Sequence, residues 1–501
     1  MKKLFRSLLC AALMVMALSA SAFAAQENLL ISPTPDAKPE KQGDFYVLVN
    51  GDYVTFSDAV PQIKNDRSCL PFVAVFEQLG FAEEDMTWNG DTKTVTATKG
   101  DVTISLTIGQ NQITLVQDGK TNVYKTDVAP YIEPSLSRTY IPFGLVADVL
   151  GYNVGWDAEV RAVIIDDVDA ILASNTETYE LMDQYLAYNQ SFYEKNQKVT
   201  GSYAMDMTVS GVEEGSAMDM GFLVGGDYEM IMAGSNAFQF GTDMVMDMTM
   251  SMDGEDMGDA MTDANGNPMF PMTIDFDMRG DLETGAFYFQ SAALCDMLEQ
   301  PDMAGAWFKL DLAELLNASA AETGIDYNTL MTMALDMAED MTFQEFLTYT
   351  LKSAPLTSVD ATTTDTLNGL NVLLGDSAFV KSGSKYVNEL SLGEIDEYGT
   401  QASMCFTLYT SGSKVNGYSL TMDIADQTVG NIAISASMKG SEMEMSMEFA
   451  MDMAEAGSLG MTMEMDGTYQ STNSQPATEP PADATVIDLM ALLGTEAAPA
   501  A

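Results

Sequence analysis

Met244-Val245-Met246-Asp247-Met248-Thr249-Met250-Ser251-Met252 places a methionine at every second position. Successive side chains of an extended chain point to opposite faces, so this run reads as a strand with one apolar face, opposite Asp243, Asp247 and Ser251. The pattern spreads outward. Met205 and Met207, Met218 and Met220, and Met230 and Met232 alternate with Asp, Thr or Glu, and Met272, Ile274, Phe276 and Met278 face away from Asp275 and Asp277. Further strands are expected at about 402–410, 416–424, 430–438, 442–453 and 459–469. Antiparallel strands with one apolar and one acidic face are the natural reading. Around 305–350 the period turns helical, with Leu330, Met333, Ala334, Met337 and Met341 on one face. Residues 199–470 therefore form a β-rich domain, and 471–501, rich in Pro, Ala, Thr and Ser, a disordered tail.

Upstream, 169–198 reads as a connecting helix with Leu172, Tyr179, Leu181, Met182, Tyr185 and Leu186 on a broad apolar stripe. Before it, one order of signals occurs twice. Phe45–Val49 leads to the turn Asn50-Gly51, then Pro61, Arg67 and Pro71. Phe72, Val75, Phe76 and Leu79 follow at helical spacing, then Gly80, Trp88 and a Thr/Val strand at 94–98. About 70 residues later come Ile113–Val116, Asp118-Gly119, Pro130, Arg138 and Pro142. Phe143, Val146, Ala147 and Leu150, Gly151, Trp156-Asp157 and the strand Ala162–Ile165 complete the second copy. Val102, Ile104, Leu106 and Ile108 alternate between the copies. The expected fold is α+β: two tandem small modules over 45–168, then a β-rich antiparallel half-barrel with packed helices. Both tryptophans are expected to be buried.

Arg67-Ser68-Cys69-Leu70-Pro71-Phe72 with Leu79-Gly80, and Arg138-Thr139-Tyr140-Ile141-Pro142-Phe143 with Leu150-Gly151 and Trp156-Asp157, resemble the copper amine oxidase N-terminal-like stalk domain of secreted Gram-positive proteins. The first copy departs in having Trp88-Asn89. The resemblance implies an accessory domain in the cell envelope, without copper or quinone chemistry. Residues 175–470 resemble the LolA-like lipoprotein-carrier half-barrels, on the helix–meander–helix–meander order and on Trp307-Phe308-Lys309-Leu310-Asp311. That likeness implies a curved sheet wrapped around helices and an apolar cavity.

The N-terminus carries Lys2, Lys3 and Arg6, an apolar run from Leu8 to about Leu18, and Ala22-Phe23-Ala24. This is a signal peptide over 1–24, too short to span a bilayer, followed by a polar leader at 25–44. No transmembrane anchor is read, and the chain is expected to be secreted or associated with the cell envelope. The 74 acidic against 22 basic residues give a net charge of −52, which repels nucleic acid and excludes it as a partner. With no histidine, Ser-His-Asp catalysis and imidazole metal sites are excluded. No catalytic residue, cofactor or metal site is assigned. Cys10 falls within the signal peptide; Cys295 and Cys405 pair or stay free thiols.

The candidate site is the methionine face, at Met244, Met246, Met248 and Met250. Thioether side chains are flexible and polarizable, so the face suits a lipid or other apolar ligand. The alternative reading, on the rule that apolar stripes are usually core, is ordinary core, and a third is Cu(I) held by thioethers. Asp253, Asp256, Asp259, Asp263, Asn265 and Asn267 form an oxygen-rich loop that either is solvated or binds calcium. The favoured function is non-enzymatic binding, with a lipid or cell-wall components as partners. The alternative is a structural adhesin or wall-associated spacer without a small-molecule site. Cleavage is expected after Ala24, which N-terminal sequencing of exported material checks; an intact Met1 in a membrane fraction would overturn the signal peptide.

Overall fold

In a computed structural model of the chain, residues 39–489 are described except 193, 214–215, 235–238, 253–254, 258–267, 269–270, 282–283, 298–300, 315–326, 328–341, 395–400, 427–429 and 453–456. The segment read as a signal peptide, most of the expected leader, the expected helical face Leu330–Met341 and most of the oxygen-rich loop lie outside the described residues. The rest divides into two compact units, 39–178 with 344–372, and 179–343 with 373–489.

The first unit carries β1 (Tyr46–Val49), β2 (Asp52–Tyr53), β3 (Gln62–Lys64), β4 (Arg67–Pro71), α1 (Phe72–Gln78), β5 (Met86–Asn89), β6 (Thr94–Lys99) and β7 (Val102–Thr107). After them come β8 (Gln112–Gln117), β9 (Lys120–Lys125), β10 (Tyr131–Glu133), β11 (Arg138–Pro142), α2 (Phe143–Leu150), β12 (Asn153–Asp157) and β13 (Ala162–Asp166). Asn50 and Gly51 (φ 52° and 91°) and Asp118 and Gly119 (φ 51° and 71°) turn their hairpins with both central residues left-handed, as a type I′ turn requires.

The pairing corrects the expectation of tandem modules. The sheets run β12-β13-β1-β2, β10-β11-β4-β3 and β5-β6-β7-β8-β9. In the first, the hairpin of one repeat takes the closing strands of the other, through parallel pairing of Val47 with Val163 and Leu48 with Ile164. The third is its counterpart with β7 inserted, and the second joins the repeats through Leu70 and Ile141. Neither copy contains the partners of its own hairpin, so the two interlock into one domain. Phe72, Val75, Phe76 and Leu79 then share a single core with Phe143, Val146 and Ala147. Surface charges repeat the exchange: Arg67 pairs with Asp127 and Arg138 with Asp58, each at 2.5 Å. The Arg138 hydrogen bond holds the Asp58 carboxyl below its ordinary range. All four side chains are about half exposed, so these pairs mark the symmetry more than they stabilise it.

The structure also explains the departure at Asn89. Its Oδ1 accepts the amides of Asp91 and Thr92, as Asp157 Oδ1 accepts those of Glu159 and Val160, so either residue makes the turn. The two tryptophans are not buried: Trp88 is 47% and Trp156 39% exposed. Both lie on strands at sheet edges, β5 and β12, where one side of the ring has no neighbouring strand to cover it.

The expected single helix at 169–198 is two, α3 (Val168–Ser174), capped by Asp167 accepting the Ala170 amide, and α4 (Glu180–Ser191). The outer face of β1 and β13 is closed by a distant segment, 344–372. Leu356 and Val359 pack on Leu48, Ala162 and Ile164, and Asn153 Nδ2 donates to the carbonyls of Leu351 and Ala354. Asp157 Oδ2 accepts the Val359 amide at 3.0 Å, and Asp166 Oδ2 the Thr363 amide at 2.9 Å.

The second unit opens with α4 and continues through β14 (Gln197–Glu213), β15 (Ser216–Met232), β16 (Gln239–Met252), β17 (Glu255–Asp256), β18 (Met272–Asp281), β19 (Ala286–Gln290), α5 (Ala292–Met297) and β20 (Trp307–Asp311). The chain then enters α6 (Phe343–Ser353) and α7 (Thr363–Leu374), most of which belong to the first unit. It returns as β21 (Val380–Ser382), β22 (Lys385–Glu394), β23 (Gln401–Ser411), β24 (Lys414–Asp426), β25 (Gly430–Lys439), β26 (Glu442–Asp452), β27 (Ser458–Ser471) and β28 (Val486–Asp488). All fifteen strands form one sheet, a half-barrel of two meanders joined where β27 pairs with β14.

Part of the expected disordered tail is ordered. The Thr472 amide donates to the Asn196 carbonyl, Arg279 Nη1 reaches the Glu479 carbonyl at 2.8 Å, and β28 pairs in parallel with β20. Its composition offers no core-forming pattern, but the backbone groups of an edge strand supply the partners. Cys69, Cys295 and Cys405 are all free thiols, so the cysteine alternatives resolve to no disulfide.

Two tests follow from the closing segment. Leu356→Ala is expected to cost about 2–5 kcal/mol, measured by urea unfolding of the full chain; correspondingly, a 45–168 fragment with its Leu48–Ile164 face bare should unfold less cooperatively than the same fragment linked to 344–372. Asp166 is completely buried and its Oδ1 has no hydrogen-bond partner among the described residues. Burial pushes its carboxyl up, against the opposing Thr363 amide. A folded-state value above the unfolded one gives a contribution that is whole below about pH 4 and lost as pH rises through the folded value. Asp166→Asn should therefore raise Tm at neutral pH more than in acid, by thermal unfolding across pH; the same change in Tm at both would overturn the upward shift of this carboxyl.

Candidate functional site

Strict alternation in β14–β27 puts every second residue on one face, and pairing in register aligns these residues across strands. One row runs from Met422 on β24 through Ile434, Met447 and Met463 to Met205, then across Val224 to Met248 and Met272. Rows on either side contain Ile424, Phe449, Met461, Met207 and Phe222, and Leu420, Met445, Met465 and Tyr203. The repeated Met-x-Met runs of the sequence therefore meet as one continuous apolar surface.

That surface is closed at one end of the strands and partly open toward the other. Met232, Phe240, Val199, Tyr469, Met443 and Tyr418 are buried at the closed end. There α4 lies over it, with the Tyr185 ring 5.0 Å from Tyr418 and 5.5 Å from Phe406, and Phe192 beyond it 5.6 Å from Tyr469. Burial pushes the Tyr469 phenol up to about 12 and Tyr418 still further, so both phenols stay neutral. Met244, Met246, Met248 and Met250 all project from this face of β16 and are half-buried, neither sealed like core nor fully solvated. Met205, Met207, Met447, Met461 and Met463 share that state.

Sequence reading missed one member of the face. Thr242 precedes Met244 by two residues, lies between Met230 and Met278 in register, and is 4% exposed. A threonine inside a methionine alternation looks like any polar strand residue; only its parity with Met244 marks it as inward.

The opposite face is acidic. Glu229, Asp243 and Asp277 stand side by side on β15, β16 and β18. Lys198 pairs with Glu229 at 2.7 Å and Arg279 with Asp277 at 3.0 Å. Burial, and then Asp277 and Glu229, raise the Asp243 carboxyl. A groove of about 820 Å³ runs along these carboxylates. Among the described residues no cluster of His, Cys, Asp or Glu has metal-holding geometry. Trp307 of the β20 pentapeptide is buried, with the Arg279 guanidinium 4.4 Å from its ring centre. No helix among the described residues is long and apolar enough to cross a membrane, which leaves strand-built spans unaddressed.

The interlocked hairpin–helix–strand duplication defines a compact α+β domain. Residues 48–165 match the family model of the copper amine oxidase N-terminal domain, as one copy that takes in both repeats. No curated protein matches the chain. Among solved structures, one similar chain is a DUF1329 family protein from Desulfovibrio piger, at 7% identity, covering 59% of this chain and 94% of that one with a TM-score of 0.11.

Proposed function

We propose that this chain is an exported, non-enzymatic binding protein of the cell envelope or exterior, whose half-barrel holds an elongated apolar ligand against its methionine face. In this reading the N-terminal domain is the stalk that presents the half-barrel, as its family likeness suggests. The observation that carries the proposal is the half-buried state of Met244, Met246, Met248 and Met250, beside an end of the same face that is sealed. Apolar side chains left partly exposed over a continuous surface mark a place where something apolar docks. Methionine suits a ligand of irregular shape, because its unbranched side chain repacks at little cost. The general resemblance to LolA-like carriers and the signal peptide point the same way. The acidic field disfavours anionic membrane surfaces and nucleic acid as partners.

The test is saturable binding of N-phenyl-1-naphthylamine, a neutral dye, by the mature chain. Met246→Asp and Met248→Asp each put a carboxylate on the apolar face, where desolvation costs several kcal/mol, and should weaken dye binding at least about tenfold. A folded wild type that binds no dye would overturn the proposal and leave the structural reading, a spacer or adhesin.

A further inference from the structure

The methionine face holds a buried polar group that no described residue satisfies. Thr242 Oγ1 is buried and has no hydrogen-bond partner among the described residues. A hydroxyl left unpaired away from water is costly, and a valine would fill the same volume without that cost. Thr242 stands where the face changes character. On one side Phe240 and Met232 are sealed, Phe240 with its ring 5.1 Å from that of Phe287; on the other begins the half-open run from Met244 to Met250.

Resting on the apolar-ligand reading above, we infer that Thr242 is the polar contact of that site, and that the ligand is a neutral single-chain lipid carrying a hydroxyl or carbonyl oxygen. The hydroxyl can donate to either group and accept from the first. The neutrality follows from charge placement. Lys198 and Arg279, the basic residues flanking this part of the sheet on β14 and β18, lie on the opposite face and are engaged by Glu229 and Asp277. Among the described residues of β14–β18, therefore, no cation faces a carboxylate or phosphate headgroup beside Thr242, and the net charge of −52 opposes an anion further. The alkyl chain lies along Met244, Met246, Met248 and Met250, while the oxygen reaches the closed end.

The experiment displaces bound N-phenyl-1-naphthylamine from the full mature chain with 1-dodecanol, 1-chlorododecane and dodecanoate. Dodecanol should act at about tenfold lower concentration than its chloro analogue, the size of one hydrogen bond made to a buried partner, and dodecanoate should be weakest. Thr242→Val should erase the preference for the alcohol while keeping an equal or higher Tm, and Thr242→Ser should retain the preference. Equal displacement by the alcohol and its chloro analogue, or a preference that survives Thr242→Val, overturns this inference and leaves the apolar-ligand reading intact. Dodecanoate as the best competitor overturns the neutral assignment. A wild type that binds no dye sinks both readings together.

Discussion

The apolar face exists because one seam is in register. Where β27 meets β14, Met205 lies opposite Met463 and Met207 opposite Met461, and from that line each meander extends its own alternation outward. Side-chain direction has a period of two, so a slip of one residue here would set the methionines of one meander against the carboxylates of the other. The seam pairs the first and last long strands of the unit. Its contacts are thus among the most distant in the sheet, and the local hairpins on either side must find them late.

Much of the local architecture was legible. Alternation located the long strands, the Asn-Gly and Asp-Gly turns located two hairpins, and the helical faces Phe72–Leu79 and Phe143–Leu150 enter the core as their spacing indicates. What could not be read was which strand pairs with which. Val47 beside Val163 and Leu70 beside Ile141 join residues about 70 to 120 positions apart, and no local signal encodes such a choice. The tryptophans misled for the same reason, since their burial depends on whether β5 and β12 are edges.

The candidate site divides along the same line. Parity on β16 identified Met244 to Met250 as sharing one face, which the structure keeps. Their half-buried state depends on what covers the sheet, and the role argued for Thr242 on its hydroxyl having no partner among the described residues. Both are facts of packing. The ordering of 472–489 was hidden because it rests on backbone groups, of which a Pro- and Thr-rich composition carries no trace.

The excursion of 344–372 into the first unit has a kinetic meaning. Leu356, Val359 and Thr363 cover a surface whose own strands end at Asp166, so the segment that closes the N-terminal domain emerges from the ribosome about 200 residues after the strands it covers. At roughly 5–20 residues per second, Leu48 and Ile164 stay bare for on the order of 10–40 s. For that interval the nascent domain offers an apolar, strand-bearing flank to whatever is nearby. A chain built this way gains from a holding chaperone, or from export that postpones folding until the whole polypeptide is across.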